Sequence, residues 1–379
     1  MTSAERFPPD SIHQVSERQF IVTGYRLTSA LLRDDRVRPG TTGLPGLEPL
    51  DREPVQRLFN DMILFQLPPR HRVIRGLLQV WFTPPSVARL QSLIDDICDR
   101  VIENARMASD GIDFVETVAR IVPLDVIGEL LGIPESDRAN VGKRTDRVVQ
   151  AMWHTVADLR AADGAAVLLD RYFRRLTEAR RDRPGQDLLS ALIADGSLSD
   201  DEIVANLVFL IIAATFTSGD FLSSAMVMAI HDHEFRAMLR RGDDVEACIE
   251  EALRLHPPIA HVVRNTAEDI DVGLLTIPAD SILEFDMAAA NRDPTEFDDP
   301  DAFRPSRSPR KSLSFGMGAH YCAGWALGRA EAATLLPRFL AAFPVIELTG
   351  EVMPKQHPFQ QGYQRVPLRL SEFAPVGHR

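Results

Sequence analysis

One cysteine in this chain stands where a thiolate could do chemistry. Cys322 lies in Phe315-Gly316-Met317-Gly318-Ala319-His320-Tyr321-Cys322-Ala323-Gly324, among three glycines, and an apolar helical run follows from Trp325, Ala326 and Leu327 to Leu335 and Leu336. Glycines let the backbone come close to a flat object and take up positive φ. A cysteine just ahead of a helix has its thiolate favoured by free N–H groups and by the helix dipole. A thiolate offered from such a loop can serve as an axial ligand to haem iron. By default a lone free cysteine is a small buried hydrophobe, so the rest of the chain must supply a reason to read it otherwise.

Further residues have types and spacing suited to a site. Glu251 and Arg254 are i, i+3 neighbours on a helix that Pro257-Pro258 stops. On a surface such a pair contributes little, whereas buried it is a bidentate fastening. His71 and Arg75, in Pro68-Pro69-Arg70-His71-Arg72-Val73-Ile74-Arg75, are i, i+4 neighbours and can both donate to an anion. Arg70 and Arg72 beside them read as a solvated basic face.

The elements that must position these groups are mostly helical. Leu90 to Ala105 and Phe114 to Leu131 repeat apolar residues at helical spacing. Gly132-Ile133-Pro134 breaks the second run, and a new helix is expected with Ser136 or Asp137 as cap. Arg147 to Arg180 reads as helix interrupted near Asp163-Gly164, and Asp187 to Ile193 as a short helix. Ser199-Asp200-Asp201-Glu202 opens a long proline-free helix over Ile203 to Ile230, apolar on nearly every side and therefore central and buried. Asp244 to His256 is a further helix. Ile21 to Arg36 reads as a strand and then a short helix, and further strand signals come at Val262 to Asn265, Asp269 to Val272, Leu275 to Ile277, Ile282 to Phe285, Val345 to Leu348 and Val366 to Leu370. Arg38 to Pro54, rich in Gly and Pro, is a loop. The expectation is a mainly α fold with minor β, a single domain over residues 1–379.

Composition narrows the function classes. With 45% hydrophobic residues the chain can bury a large core, and a net charge of −12 argues against general nucleic-acid binding. Cys98, Cys248 and Cys322 are too few and scattered for a disulfide framework, and no C-x-x-C pair suggests zinc. The polar N-terminus shows no signal peptide or membrane anchor, so a soluble, cytoplasmic protein without membrane partners is expected.

The pattern F-G-x-G-x-H-x-C-x-G resembles the haem-binding loop of the cytochrome P-450 family, and the likeness extends over roughly residues 15 to 370. The resemblance implies that Cys322 is the fifth ligand of haem iron, with Phe315 and Gly316 beside it in the loop. It implies that Glu251 and Arg254 join Arg307 in a buried structural network under the haem. It gives His71, Arg75, Arg264 and His320 as contacts of the haem propionates. The chain departs from the family at Leu67, where an acid is usual before Pro-Pro, and at Ser312, where many members have histidine. The long helix departs most. Where the family has A-G-x-acid-Thr over the haem, this chain reads Ala213-Ala214-Thr215-Phe216-Thr217. Thr217 matches the catalytic alcohol, but Phe216 replaces the acid and cannot carry a proton. Asp220, one turn on, is a candidate substitute, although an ion pair elsewhere is the simpler use for it. The substrate pocket is expected from Met62, Leu64, Phe65, Phe209, Ala213, Ala260, Val262 and Phe359.

The resemblance implies a soluble, bacterial-type monooxygenase that inserts oxygen from O2 into a small organic substrate, a secondary metabolite or its biosynthetic intermediate. It implies haem b, electrons from NAD(P)H through a ferredoxin reductase and a ferredoxin, and in one variant a substrate held on a carrier protein. Arg70, Arg72, Arg310 and Lys311 are the expected basic face for an acidic redox partner. Phe216 leaves open an atypical member using peroxide or oxidative coupling beside an ordinary monooxygenase with a rerouted proton path. A haem-binding protein without catalysis is a separate alternative, against which only Thr217 speaks.

Overall fold

The chain is described by a computed structural model over residues 11–39, 54–109, 111–152, 156–307, 312–357 and 359–371. The helices are α1 (Tyr25–Leu31), α2 (Pro54–Asp61), α3 (Arg70–Gln79), α4 (Pro84–Arg89), α5 (Gln91–Arg106), α6 (Ile121–Leu130), α7 (Glu135–Met152), α8 (Val156–Asp182), α9 (Leu188–Asp195), α10 (Asp200–His231), α11 (His233–Arg241), α12 (Val245–Leu255), α13 (Met287–Ala290) and α14 (Trp325–Ala342). The strands are β1 (Ile12–Ser16), β2 (Gln19–Val22), β3 (Val37–Pro39), β4 (Ile112–Asp113), β5 (His261–Thr266), β6 (Ile270–Val272), β7 (Leu275–Ile277), β8 (Ile282–Asp286), β9 (Val345–Leu348), β10 (Met353–Pro354), β11 (Tyr363–Arg365) and β12 (Pro367–Ser371). The mainly α, minor β reading holds.

The capping signal at Ser199 starts the element round which the others pack. The Ser199 hydroxyl accepts from the Glu202 N–H at 3.2 Å, and the Glu202 carboxylate accepts from the Ser199 N–H at 2.9 Å. This reciprocal pair satisfies two helix-end donors. From it α10 runs through the main core, against α2, α6, α7, α8, α11 and α14. It is long and apolar enough to cross a membrane by length and composition, but 56% of that window is buried inside the fold. Its apolar girth is spent on packing, as expected for a central helix.

The five-stranded sheet, ordered β1-β2-β8-β5-β3, brings the N-terminal strands beside residues 261–286, with β2 and β8 parallel and β5 antiparallel to β8. A second, smaller apolar cluster including Phe20, Leu27, Leu283, Phe285 and Leu313 packs beneath it. The remaining sheets are β4-β12-β9 and the pairs β6-β7 and β10-β11.

Two local expectations are corrected, and one helix was missed. Helix α7 begins at Glu135, so Ser136 and Asp137 lie inside its first turn, and Asp137 accepts from the Tyr172 hydroxyl at 3.0 Å instead of capping. Helix α8 runs unbroken through Asp163-Gly164, where Asp163 accepts from the Val55 N–H of α2 at 3.0 Å. The roughly 1 kcal/mol that a helical glycine costs is small beside such packing. Helix α11 went unread, although Asp232 caps it by accepting from the N–H groups of Glu234 and Phe235, and Gly242 closes it at φ +72°. Of the Arg38–Pro54 loop, residues 40–53 lie outside the described residues.

Candidate active site

The cysteine loop is shaped by its glycines. Gly316 and Gly318 have φ of +70° and +72°, and a Cβ on Gly318 would strike the carbonyl oxygen of Leu32 at the end of α1. Only glycine meets both demands. The Cys322 N–H donates to the Phe315 carbonyl at 2.9 Å and closes the loop. Arg329, one turn into α14, lies over the Phe315 and Trp325 rings at 4.8 and 4.7 Å and pairs with Glu250 of α12.

Beneath the loop, Glu251 and Arg254 are 5% and 2% exposed. Arg254 donates to both Glu251 oxygens at 2.8 Å. Arg307 Nε and the Arg304 N–H reach Glu251 Oε1 at 2.8 and 3.0 Å. These donors hold the carboxyl below its usual pKa despite burial. The three residues named from sequence are thus together, and a fourth was missed. Arg254 also donates to the Asn291 carbonyl at 2.9 Å. The fully buried Asn291 side chain accepts from the Leu313 N–H at 2.7 Å and donates to Ser314 at 2.9 Å. Those residues lead directly into the loop, so the network and the loop are one construction. Asn291 stands ahead of Arg292-Asp293-Pro294, and nothing in that local pattern marks its amide as part of the network.

Cys322 faces a cavity that also takes His71, Arg75, Arg264, Phe315 and His320. The His71 and His320 rings lie 4.3 Å apart, and Arg75 donates to the Tyr321 carbonyl at 2.6 Å. Arg264 donates to its neighbour's Val263 carbonyl at 2.8 Å. Among the described residues no carboxylate pairs with Arg75 or Arg264. Burial brings Arg264 down to about 10, and burial with the nearby cations brings His320 down to about 3. His71 and Arg75 are lowered too, chiefly by burial. Burial pushes the Cys322 thiol up, while the Gly324 N–H, Arg75 and Arg329 pull it down. Buried cations gathered without a counter-charge require an anion from elsewhere. A thiol at the centre and such a rim fit a metallated macrocycle carrying carboxylates, so the residues present suit haem. Gly316 contributes backbone shape and does not line the cavity. Ser312 faces a different cleft, with Arg307 and Trp325, so it stands away from this rim.

The facing wall comes from α10 and the segment ahead of α3: Ile63, Leu64, Phe209, Leu210, Ala213, Thr217, Ser218 and Phe221. Leu64, Phe209 and Ala213 were expected there. Met62 is fully buried in the main core instead, and Phe65 packs on Phe59 at 6.2 Å. Ala260 is taken up by backbone bonds to Phe359 and Met287, and Val262 packs on the smaller cluster under the sheet. Neither these two nor Phe359 lines the cavity. The Thr217 hydroxyl donates to the Ala213 carbonyl at 2.7 Å, the back-bonding open to any helical threonine.

Phe216 points away from this cavity. It lines a separate, polar cavity of about 580 Å³ with Arg120, Asp146, Asp220 and Lys355. The Arg120 guanidinium lies 5.8 Å and the Lys355 ammonium 5.3 Å from its ring centroid. The ring thus lies between two cations that already have carboxylate partners, Arg120 with Glu116 and Asp146, and Lys355 with Asp220. Asp220 pairs with Lys355 at 2.5 Å, as the simpler reading held, and burial raises its carboxyl to about 6 against that lysine's pull.

Glu331 of α14 escaped the sequence reading. It lines the same cavity as Cys322 and Thr217, is 1% exposed, and neither oxygen has a well-formed hydrogen bond. Burial drives its carboxyl up to about 8, with only Ser218 opposing. Standing between Ala330 and Ala332, it carries no local signal of burial.

The expected basic docking face is altered. Arg70 is bound to Glu202 and to the Ser197 carbonyl, Arg72 is exposed, and Arg310 and Lys311 lie outside the described residues.

Comparison with known proteins agrees with this geometry. The family model described as Cytochrome P450 matches residues 245–370. Cytochrome P450 109 of Bacillus spizizenii is 32% identical over 327 residues, covering 82% of this chain and 80% of that protein. The 6-deoxyerythronolide B hydroxylase of Saccharopolyspora erythraea is 28% identical, with 97% and 94% of the two chains covered. The crystal structure of P450BioI in complex with hexadec-9Z-enoic acid ligated acyl carrier protein superposes with a TM-score of 0.87 at 28% identity, covering 93% of this chain and 92% of that one. The chain belongs to the cytochrome P-450 family and is one of its oxidoreductases, dependent on haem iron and on electrons from redox partners.

Proposed function

We propose that this protein is a haem-thiolate monooxygenase in which Cys322 is the axial ligand of haem b. The observation that carries this reading is the cluster of buried His71 and half-buried Arg75, Arg264 and His320 in one cavity with Cys322, with no carboxylate among the described residues paired to its arginines. Arg75 and Arg264 would hold the propionates as charge partners, and His71 and His320 would donate to them. Haem bound there supplies dioxygen binding and its reductive activation. The Glu251–Arg254–Arg307 network keeps the loop at one distance from the cavity. Ile63, Leu64, Phe209 and Ala213 exclude water and bind an apolar substrate over the metal.

Proton handling falls to Glu331 and Ser218. Glu331 holds a proton at physiological pH, because its carboxyl is raised to about 8. Ser218 stands beside it on the helix that carries Thr217, which completes the path once its hydroxyl turns from the Ala213 carbonyl. General-acid placement of this kind contributes on the order of 10²–10⁴-fold.

The substrate is a small secondary metabolite or its intermediate. The hydroxylase among the relatives supports that class, and the P450BioI complex supports a carrier-held substrate as its variant. Electrons come from NAD(P)H through a ferredoxin reductase and a ferredoxin, in the cytoplasm. The reduced carbon-monoxide difference spectrum tests the ligand: a thiolate-type band is expected, and its loss in Cys322→Ala. A Soret-shift screen followed by turnover with a ferredoxin tests the activity. A thiolate band without turnover of any ligand would favour the binding-only reading.

Phe216 favours a second reading, chemistry that needs no acid-assisted dioxygen cleavage. Peroxide-driven turnover at or above the NAD(P)H-driven rate, without a solvent isotope effect, would support it.

A further inference from the structure

Positions 206, 210, 213, 217 and 221 share one face of α10, and the last four line the cavity. Asn206 extends that stripe toward the helix start as a fully buried amide. A buried amide without partners costs roughly 1–3 kcal/mol, and this one is fully engaged. Its Oδ1 accepts from the Ile63 N–H at 2.9 Å. Its Nδ2 donates to the Asp61 carbonyl at 3.1 Å and to the Glu202 carbonyl at 2.8 Å. Two of these bonds therefore cross to the end of α2 and the turn that follows, where Ile63 and Leu64 form the cavity wall. The far end of the same segment is attached one turn earlier on α10, where Arg70 pairs with Glu202 through both carboxylate oxygens. Residues 61–70 thus arch between two attachments to the first turns of α10.

We propose that Asn206 is a positioning residue that sets the size selectivity of the substrate cavity. Its amide holds Ile63 and Leu64 as a fixed apolar wall, and the Glu202–Arg70 pair closes the arch. The cavity then discriminates apolar ligands by bulk and leaves ligation at the metal unaffected. The inference rests on the proposed function of the cavity.

The test uses haem-loaded wild type and Asn206→Ala. Soret titrations compare imidazole, which needs only the metal, with 4-phenylimidazole, which must also fit the wall. The expected result is an imidazole Kd changed less than about twofold and a 4-phenylimidazole Kd changed about tenfold, the loss of one to two hydrogen bonds. Equal shifts for the two ligands, or none, would overturn the assignment. A wild type without a thiolate-type carbon-monoxide band would overturn the functional reading and this inference with it. Should Asn206→Ala not load haem, Arg70→Ala frees the other end and is expected to give the same split, while an unsplit response overturns the proposal. Hydrogen exchange gives an independent readout: the Ile63 amide should be protected like the core of α10, and loop-like exchange counts against the clamp.

Discussion

Two glutamates are buried on the helices flanking the cysteine loop, Glu251 ahead of it and Glu331 behind it, and their states are opposite. Burial acts on both in the same direction. Around Glu251 two guanidiniums and a backbone N–H outweigh it and keep the carboxylate charged. Around Glu331 no cation stands among the described residues, and the carboxyl rises to about 8. The number of donors, not the depth of burial, separates a structural carboxylate from one able to hold and release a proton. A similar contrast holds across α10. Phe216 and Asp220 face a cavity lined by ion pairs, Arg120 with Asp146 and Lys355 with Asp220, whereas among the described residues Glu331 is the one carboxyl group lining the haem-side cavity.

The largest effect should come from breaking the satisfied member. Glu251→Gln leaves Arg254 and Arg307 buried without a counter-charge, a loss on the order of 3–5 kcal/mol. Thermal melts and haem content are expected to show a protein largely unable to hold haem; near-normal loading would refute the network's role. Glu331→Gln should do the reverse, leaving the carbon-monoxide spectrum intact while product formed per NAD(P)H falls by about 10²-fold. Unchanged coupling would move the proton path elsewhere.

Stability against pH sharpens the same contrast. Folded Glu331 keeps its proton to about pH 8, whereas the unfolded chain loses it near 4.5. The folded state holds the extra proton between those values, so this contribution is full below 4.5 and is lost as pH rises toward 8. Melting temperatures of Glu331→Gln minus wild type should therefore grow more positive from pH 5 to 8; a flat difference contradicts the protonated state.

Phe216→Glu tests the other side of α10. A carboxylate between Arg120 and Lys355 should raise coupling by a few-fold if that cavity admits protons, whereas loss of product would support the atypical chemistry. The smallest effect is expected at the docking face. Arg70 is occupied by Glu202, so Arg72→Ala should slow reduction by a ferredoxin less than about threefold, with a shallow dependence on salt. A steep salt dependence would point to basic groups outside the described residues.

Much of the fold was legible in local pattern. The strands at 275–277 and 345–348 match the observed bounds, and the Ser199 capping box marked the start of α10. These signals are local, involving alternation, caps and turns. Gly164 was misread because its intrinsic cost is smaller than the packing of α8. The pocket residues were read less well, because period alone does not say which side of a wall a side chain meets. Leu64 faces the cavity, whereas Met62 and Phe65 pack into core.

The amino-acid sequence by itself determined the cysteine loop, its glycine-dependent turns, the Glu251–Arg254 pair and the absence of an acid at Phe216. All of these depend on near neighbours in the chain. Tertiary structure decided that Arg75 and Arg264 line one cavity with no described carboxylate paired to either, that Phe216 turns away between two cations, and that Glu331 is enclosed in the same cavity as Cys322. A helix repeats its faces every few residues, but only the elements packed against it determine which face meets water, a cation or an empty cavity.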